Sequence, residues 1–393
     1  MKHIAILGHG VVGTGCARML TENRERISAL VGEDVSLKYI LDIRDLPDSP
    51  WADRIVHDFA VILADPEVSV VAEVIGGAHP AFDFTAAALK AGKHVVTSNK
   101  ECVSRFGVEL TTIAAENGVT YRFEASCGGG IPLIRPILSD LAANRIDGID
   151  GILNGTTNYI LTRMCCDGSS FEAALAEARQ KGYAERDPSA DVEGIDARRK
   201  INILCGCATG VLHNDEDIPT EGIAAVRTAD VTAAGLAGYA VKLLGRMTGG
   251  FVLVAPHLIP FDCPLSRTDG VFNAALLHGN FVGDVMLYGR GAGADATASA
   301  VVGDMVAALR GDSCSVTFTR GATLPDFGAF TCPRYLSVGA EDAGVLLALV
   351  PEAKTIEPPV GEFACITPPL SEQELHALRQ KVSLRAALRV REA

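Results

Sequence analysis

Two charged residues four apart give the sharpest chemical signal in the chain. In Gly182-Tyr183-Ala184-Glu185-Arg186-Asp187-Pro188-Ser189-Ala190-Asp191-Val192-Glu193-Gly194-Ile195-Asp196-Ala197-Arg198-Arg199-Lys200, acidic residues crowd a turn-rich loop and a helix begins near Gly194. Asp196 and Lys200 share one face of that helix. Lys200 is the last charge before the largely apolar run Ile201–Val211, so its face borders a core. One reading is an exposed ion pair worth about 0.3–0.5 kcal/mol. The other is a lysine held by Asp196 for proton transfer, beside carboxylates that grip an ammonium.

A second set of residues is suited to a phosphate-bearing cofactor. Gly8-His9-Gly10-Val11-Val12-Gly13 is a GxGxxG turn directly after the apolar run His3–Leu7, and it opens a helix-compatible segment from Val11 to Arg26. The first two glycines allow a tight turn and close approach of a pyrophosphate. The third lets helix pack on strand, and the helix N-terminus attracts the anion. The alternative is a glycine-rich βα turn with no cofactor. After the second strand, Asp42 would accept from ribose hydroxyls, whereas Arg44 would pair with a 2′-phosphate. With both present, the choice between NADP and NAD stays open, as does a merely solvated loop beside Asp45. Ile75-Gly76-Gly77 and Thr97-Ser98-Asn99-Lys100 end two more strands at the carboxyl edge of the sheet, where ligands bind. A lysine at a helix start faces the wrong end of the helix dipole. That favours a functional reason for Lys100, with Ser98 beside it at the crevice.

To present these groups the chain needs βαβ units. Strand patterns at 37–41, 68–75, 94–97 and 119–124 alternate with helix patterns at 81–91 and 107–117. This predicts an α/β class. Residues 1–125 form a Rossmann-type doubly wound parallel sheet, with a return helix at about 294–311. Residues 126–325 read as an α+β substrate-binding and dimerisation domain. Its helix patterns lie at 131–143, 154–167, 171–181, 194–210 and 231–245, and its β-rich stretches at 146–153, 251–259 and 281–287. Residues 326–393 read β, α, β, α.

The composition narrows the class further. Among 393 residues, 35 Lys+Arg stand against 48 Asp+Glu, giving a formal charge of −13, with 48% hydrophobic and 21% charged residues. That balance has ample apolar material for a core and is too apolar for disorder. Its acidity argues against nucleic acid as a partner. There is no apolar run of about 18 residues, so no membrane span is expected. Met1-Lys2-His3-Ile4 opens no signal-peptide pattern. Eleven cysteines without a repeated CxxC read as reduced thiols, which predicts a cytoplasmic protein.

The pattern Ala178-x3-Gly182-Tyr183-Ala184-x2-Asp187-Pro188-x2-Asp191-Val192-x-Gly194-x-Asp196-x3-Lys200 resembles the signature of the homoserine dehydrogenase family at every fixed position. Glu73–Gly77, Ala91–Lys100, Asn154-Gly155-Thr156-Thr157-Asn158-Tyr159-Ile160-Leu161 and Gly283–Gly293 agree with it, so the resemblance spans roughly residues 3–311. It implies an NAD(P)-dependent oxidoreductase that interconverts L-aspartate 4-semialdehyde and L-homoserine in threonine, methionine and isoleucine biosynthesis. Carried over residue by residue, it implies that Lys100 and Lys200 flank the reacting carbonyl. Lys200 is then the general acid in reduction and the base in oxidation. Glu185, Asp191 and Asp196 hold the substrate amino group or orient Lys200. Gly182, Gly291 and Gly293 line the substrate and cofactor cleft, and Gly8, Gly10, Val11, Val12, Gly13, Arg44, Gly76, Ser98 and Lys100 complete the cofactor set. The resemblance further implies a monovalent cation, sodium, held by Glu124 and by backbone carbonyls of Cys127, Gly129 and Ile131. It also implies a homodimer formed through the middle domain. Two readings stay open beside it: another Rossmann enzyme acting on an amino-acid semialdehyde, and a catalytically silent amino-acid sensor.

Many members of that family carry a regulatory ACT-type unit after the catalytic part. Tyr335-Leu336-Ser337-Val338-Gly339-Ala340-Glu341-Asp342-Ala343-Gly344-Val345-Leu346 resembles the start of one, one residue short and without the usual Pro before Gly. The short ACT-like C-terminal unit is expected to have lost two or so elements and a complete effector site, leaving a packing or dimer-contact role. Asp295-Ala296-Thr297 also departs from the family's Pro before Thr, which alters how that helix starts.

Overall fold

Short apolar runs that stop at turns build the first of two units into which the chain divides: Met1–Ile146 with Asn202–Asp215 and Gly289–Gly321. The computed structural model describes residues 1–312, 314–321 and 323–392; Ser313, Ala322 and Ala393 lie outside the described residues. The strands of the first unit are β1 (Lys2–Leu7), β2 (Val35–Leu41), β3 (Ile55–Val56), β4 (Val68–Glu73), β5 (His94–Thr97) and β6 (Tyr121–Arg122). They pair in parallel, in the order β3-β2-β1-β4-β5-β6. This is the doubly wound order, and its switch point falls between β1 and β4. Helices cover both faces of such a sheet, so its central strands read as continuous apolar runs: Ile4, Ile6, Val70, Val71, Ala72 and Val96 are fully buried.

The return helix is Ala294–Leu309, and its Ala298, Val301, Val302 and Met305 join the core with Ile4, Ile6 and Cys16. Three expectations about local structure change. The helix expected from Val11 to Arg26 is two helices, Val11–Glu22 and Arg24–Val31, divided at Asn23. The helix expected at 107–117 starts earlier and runs Lys100–Glu116, because the Asn99 side chain accepts from Cys102 N and caps it. Over 131–143 the helix shrinks to a π turn, Pro136–Asp140. Pro132 and Pro136 each remove a backbone donor there.

The second unit comprises Asp147–Ile201, Glu216–Tyr288 and the described residues after Gly321. Its sheet has nine strands, in the spatial order Gly283–Arg290, Phe272–Gly279, Ile146–Ile152 (β7), Tyr239–Thr248, Phe251–Pro260, Leu384–Val390, Arg334–Gly339, Glu362–Ile366 and Lys354–Thr355. The helix expected over 231–245 is corrected: it ends at Leu236, and a strand begins at Tyr239 after Gly238, which has φ +89°. A glycine in that conformation terminates a helix.

The C-terminal segment also departs from expectation. Arg334–Gly339, Ala343–Leu349, Lys354–Thr355, Glu362–Ile366, Glu372–Arg379 and Leu384–Val390 follow one another as β-α-β-β-α-β. The strand neighbours within it are antiparallel. This is the split βαβ, ferredoxin-like pattern. Two strands, Lys354–Thr355 and Leu384–Val390, are present beyond the expected β, α, β, α. The segment has its own core of Leu336, Val338, Leu346, Cys365, Leu375 and Leu378. It continues the main sheet through His257↔Arg389 and Leu258↔Val390. No helix among the described residues is long and apolar enough to cross a membrane.

Candidate active site

Lys200 is buried. It lies one turn into the helix Ile195–Thr209 and is 8% exposed, while Asp196 is 4% exposed. The lysine ammonium donates to Asp196 Oδ2 at 2.7 Å and to the Leu153 carbonyl at 2.7 Å. The exposed ion-pair reading therefore fails. An ammonium this deeply placed is tolerable only with a charged partner and hydrogen bonds, which these two acceptors supply. Asp191 joins them from the helical turn Ser189–Val192. Asn154 ties the acids together, its Nδ2 donating to Asp191 Oδ1 at 2.6 Å and Asp196 Oδ2 at 2.9 Å. Burial pushes the Asp191 carboxyl above its ordinary value; the Asp196 charge adds to the rise, and hydrogen bonds from Asn154 and Thr156 oppose it.

The structure thus brings together Asp191, Asp196 and Lys200, and adds Asn154 and the Leu153 carbonyl, to which the sequence had given no role. The N-cap signature Asn154-Gly155-Thr156-Thr157 was the available clue. Glu185 and Gly182 lie on the exposed loop that follows the helix Phe171–Gln180. Among the described residues Glu185 makes no hydrogen bond or ion pair, so it is not part of this network. The loop is anchored by Thr156 Oγ1 donating to the Tyr183 carbonyl at 2.6 Å.

The first unit carries the glycine turn. Gly8 has φ +101°, and a Cβ on Gly13 would lie 1.9 Å from the Gly8 carbonyl oxygen. Only glycine fits where helix and turn approach so closely. Gly10 precedes the helix Val11–Glu22 without a side-chain cap, and Val11 is 72% exposed. The first backbone N–H groups of that helix accordingly have no side-chain acceptor and suit an anion. Asp42 is buried and accepts from His9 N at 2.9 Å, Arg44 N at 3.0 Å and Arg44 Nε at 2.9 Å. Arg44 Nη2 donates to its other oxygen at 2.9 Å. The Arg44 hydrogen bonds hold the Asp42 carboxyl well below the usual carboxylate range. The two residues taken from the sequence as rival recognition groups are therefore ion-paired to each other, with Asp42 buried and Arg44 exposed.

At the next strand ends, Glu73 is fully buried. It accepts from Thr97 Oγ1 at 2.7 Å and Ile75 N at 2.8 Å, linking β4 to β5. Burial pushes its carboxyl up. Asn99 donates to the Gly77 carbonyl at 2.6 Å. These bonds hold the exposed Gly76-Gly77 turn beside half-buried Ser98 and Lys100, the first residue of its helix. Sequence reasoning gave Glu73 no role.

Around Gly128-Gly129-Gly130, Glu124 accepts three backbone N–H groups. Leu133 and Ile134 donate to Oε1 at 2.7 and 2.8 Å, and Arg135 donates to Oε2 at 2.7 Å. Cys127, Gly129 and Ile131 are buried. A Cβ on Gly129 would come 2.6 Å from Gly291, which is also buried, while Gly293 is exposed and begins the return helix. Among the described residues no group of three His, Cys, Asp or Glu side chains is gathered as a metal site.

Residues 132–306 match the family model described as homoserine dehydrogenase, and residues 8–124 match the homoserine dehydrogenase NAD binding domain. The homoserine dehydrogenase of Synechocystis sp. is 41% identical over 314 residues, covering 77% of this chain and 72% of the relative. Among solved structures, a homoserine dehydrogenase from Thiobacillus denitrificans superposes with a TM-score of 0.90 at 31% identity, covering 100% of this chain and 98% of that one. A mutant hyperthermophilic archaeal homoserine dehydrogenase in complex with NADPH gives a TM-score of 0.70 at 28% identity, over 80% of this chain and 99% of that one.

Proposed function

The chain belongs to the homoserine dehydrogenase family, and from that premise we propose how its own residues divide the work of an NAD(P)-dependent oxidoreductase. A bound nicotinamide would supply the hydride that reduces L-aspartate 4-semialdehyde to L-homoserine and would accept it back in the reverse direction. The glycine turn Gly8–Gly13, with Val11, Val12, Gly76, Ser98, Gly291 and Gly293, holds that cofactor. The fit rests on the open space around Gly10 and the uncapped helix start behind it. Arg44 would hold the 2′-phosphate of NADP, and Asp42 the ribose of NAD. Asp42 and the His9 carbonyl take Nε and Nη2 of Arg44, which leaves the Nη1 hydrogens of this exposed side chain for a phosphate. The NADPH held by the archaeal relative supports the phosphate-bearing form.

Lys200 protonates the oxygen left negative when hydride reaches the aldehyde and removes that proton in the reverse direction. Lys100 belongs with the cofactor set at the carboxyl edge of the parallel sheet. Asp191 and Asp196 hold the substrate ammonium, with Glu185 and Gly182 on the loop that covers it. The single observation that carries this reading is the burial of Lys200 between Asp196 and the Leu153 carbonyl.

Sodium fits the turn at Glu124. Three N–H donors leave part of the carboxylate's acceptor capacity unused, and carbonyls of Cys127, Gly129 and Ile131 are the oxygen donors a hard cation prefers. Bound there, it would brace the turn against Gly291. Residues 1–125 carry the cofactor, 126–325 the substrate and a homodimer contact, and 326–393 an ACT-like appendage, in a cytoplasmic enzyme of amino-acid biosynthesis. Incubating the purified protein with L-homoserine and NAD or NADP and following absorbance of the reduced cofactor tests this. Homoserine-dependent reduction supports the reading, and its absence with both cofactors refutes it.

A further inference from the structure

Asn154 ends the segment after β7 and caps the helix Gly155–Asp167. Capping needs only an acceptor. Asn154 Oδ1 takes the Thr157 N–H at 2.8 Å and the Thr157 hydroxyl at 3.0 Å. Aspartate or serine would cap about as well. Those bonds fix the amide orientation, so Nδ2 must face the other way, toward Asp191 and Asp196. The oxygen it reaches on Asp196, Oδ2, is the one that also accepts from Lys200. The preceding residue, Leu153, gives its carbonyl to the same ammonium. Asn154 is 6% exposed, so bulk water does not compete for these bonds. Two consecutive backbone positions thus aim the lysine and both acids.

We propose that Asn154 is a positioning residue for proton transfer: its amide holds the Asp191 and Asp196 carboxylates together and so sets the seat of Lys200. The inference rests on the reading that Lys200 and these carboxylates act on the substrate. Two like-charged carboxylates placed together repel, and a donor shared between them offsets that repulsion. Among good helix caps only asparagine presents an acceptor to the helix and a two-hydrogen donor to the acids.

The test compares Asn154→Ser and Asn154→Asp with wild type and with Lys200→Ala. Both Asn154 variants keep a capping oxygen. Serine is too short to bridge the acids, and aspartate puts a third carboxylate against them. The expected result is folded protein by circular dichroism, an unchanged Kd for the reduced cofactor, and kcat lowered at least about tenfold, as misplacement of reacting groups produces. The acid limb of kcat/KM for homoserine moves to higher pH in both variants. Asp191 is faced by Asn154, Thr156, Asp196 and Lys200. It loses a donor to its charged form in one variant and gains a negative neighbour in the other. A role in capping alone leaves that limb where it was, and wild-type kcat with an unmoved limb in both variants overturns the proposal. If the serine variant does not fold, the isosteric aspartate variant decides. Lys200→Ala separates the two levels. Near-normal kcat in that variant sinks the reading of the lysine itself, whereas an inactive Lys200→Ala beside wild-type Asn154 variants sinks only the inference about Asn154.

Discussion

Gly10 and Gly13 stand in one turn and respond to a methyl group in opposite ways. A Cβ at Gly13 would lie 1.9 Å from the Gly8 carbonyl oxygen, roughly 1.5 Å inside a contact distance of about 3.5 Å. Both atoms in that clash are tied to backbone, so the turn must open. Gly13→Ala is expected to lower stability by about 2–4 kcal/mol. Gly10 has φ −83°, and its Cβ meets nothing within 4 Å. Gly10→Ala should therefore leave stability within about 0.5 kcal/mol of wild type. That empty space is also where a pyrophosphate must approach the first N–H groups of the helix. A methyl there keeps it off, and the Kd of the reduced cofactor should rise at least about tenfold, or 1.4 kcal/mol. Thermal melts and titration of cofactor fluorescence read the two effects separately. The reasoning is refuted if Gly10→Ala binds the cofactor as tightly as wild type, or if Gly13→Ala melts where wild type does.

Three further outcomes follow from buried charge. Lys200→Ala should lower kcat at least about 100-fold while cofactor Kd stays unchanged, because only the proton-transfer group is removed. Burial pushes the Asp304 carboxyl up from 3.8 to about 6 in the fold. Between those values the folded state binds more protons than the unfolded one, so stability declines as pH rises from about 4 to about 6, by about 3 kcal/mol for this group alone. Asp304→Asn, which keeps an acceptor for Glu124 N, should flatten that part of the profile in urea melts, and an unchanged slope would count against the assignment. Glu73→Gln replaces one of two acceptor oxygens with an NH2 that faces the Thr97 hydroxyl or the Ile75 N–H. It should cost about 1–3 kcal/mol and weaken cofactor binding. Unchanged Tm and Kd would mean that this link between β4 and β5 does not hold the crevice.

The parallel sheet was the most legible part of the sequence, because its strands are short apolar runs stopped by turns. His94–Thr97 has the expected bounds, and the return helix Ala294–Leu309 starts where expected and ends two residues earlier. The nine-stranded sheet was harder. Tyr239–Thr248 is buried along most of its length on both faces, so it lacks the alternation that marks a half-buried strand. The alanines before it extended the helical pattern past Gly238. Leu384–Val390 carried no local pairing signal because its partners are distant in sequence, whereas Phe272–Gly279 neighbours Gly283–Arg290 across a short turn without the Asn-Gly or Asp-Gly pair that marks a two-residue hairpin. At the site, the four-residue spacing of Asp196 and Lys200 was readable, but their burial was not. The Leu153 carbonyl that seats the buried lysine lies 47 residues upstream. Arg44 and Asp42 were each visible as recognition groups, yet that they bind each other depends on the backbone path of the loop between them.

The most direct test of the account is a crystal structure with L-homoserine and an oxidised nicotinamide cofactor bound. The distance that matters runs from Lys200 Nζ to the substrate hydroxyl oxygen. The account predicts a hydrogen bond of about 2.6–3.2 Å, with the substrate ammonium against Asp191 or Asp196. A homoserine whose hydroxyl meets another proton donor, with Lys200 still closed on Asp196 and Leu153 and out of its reach, would contradict it.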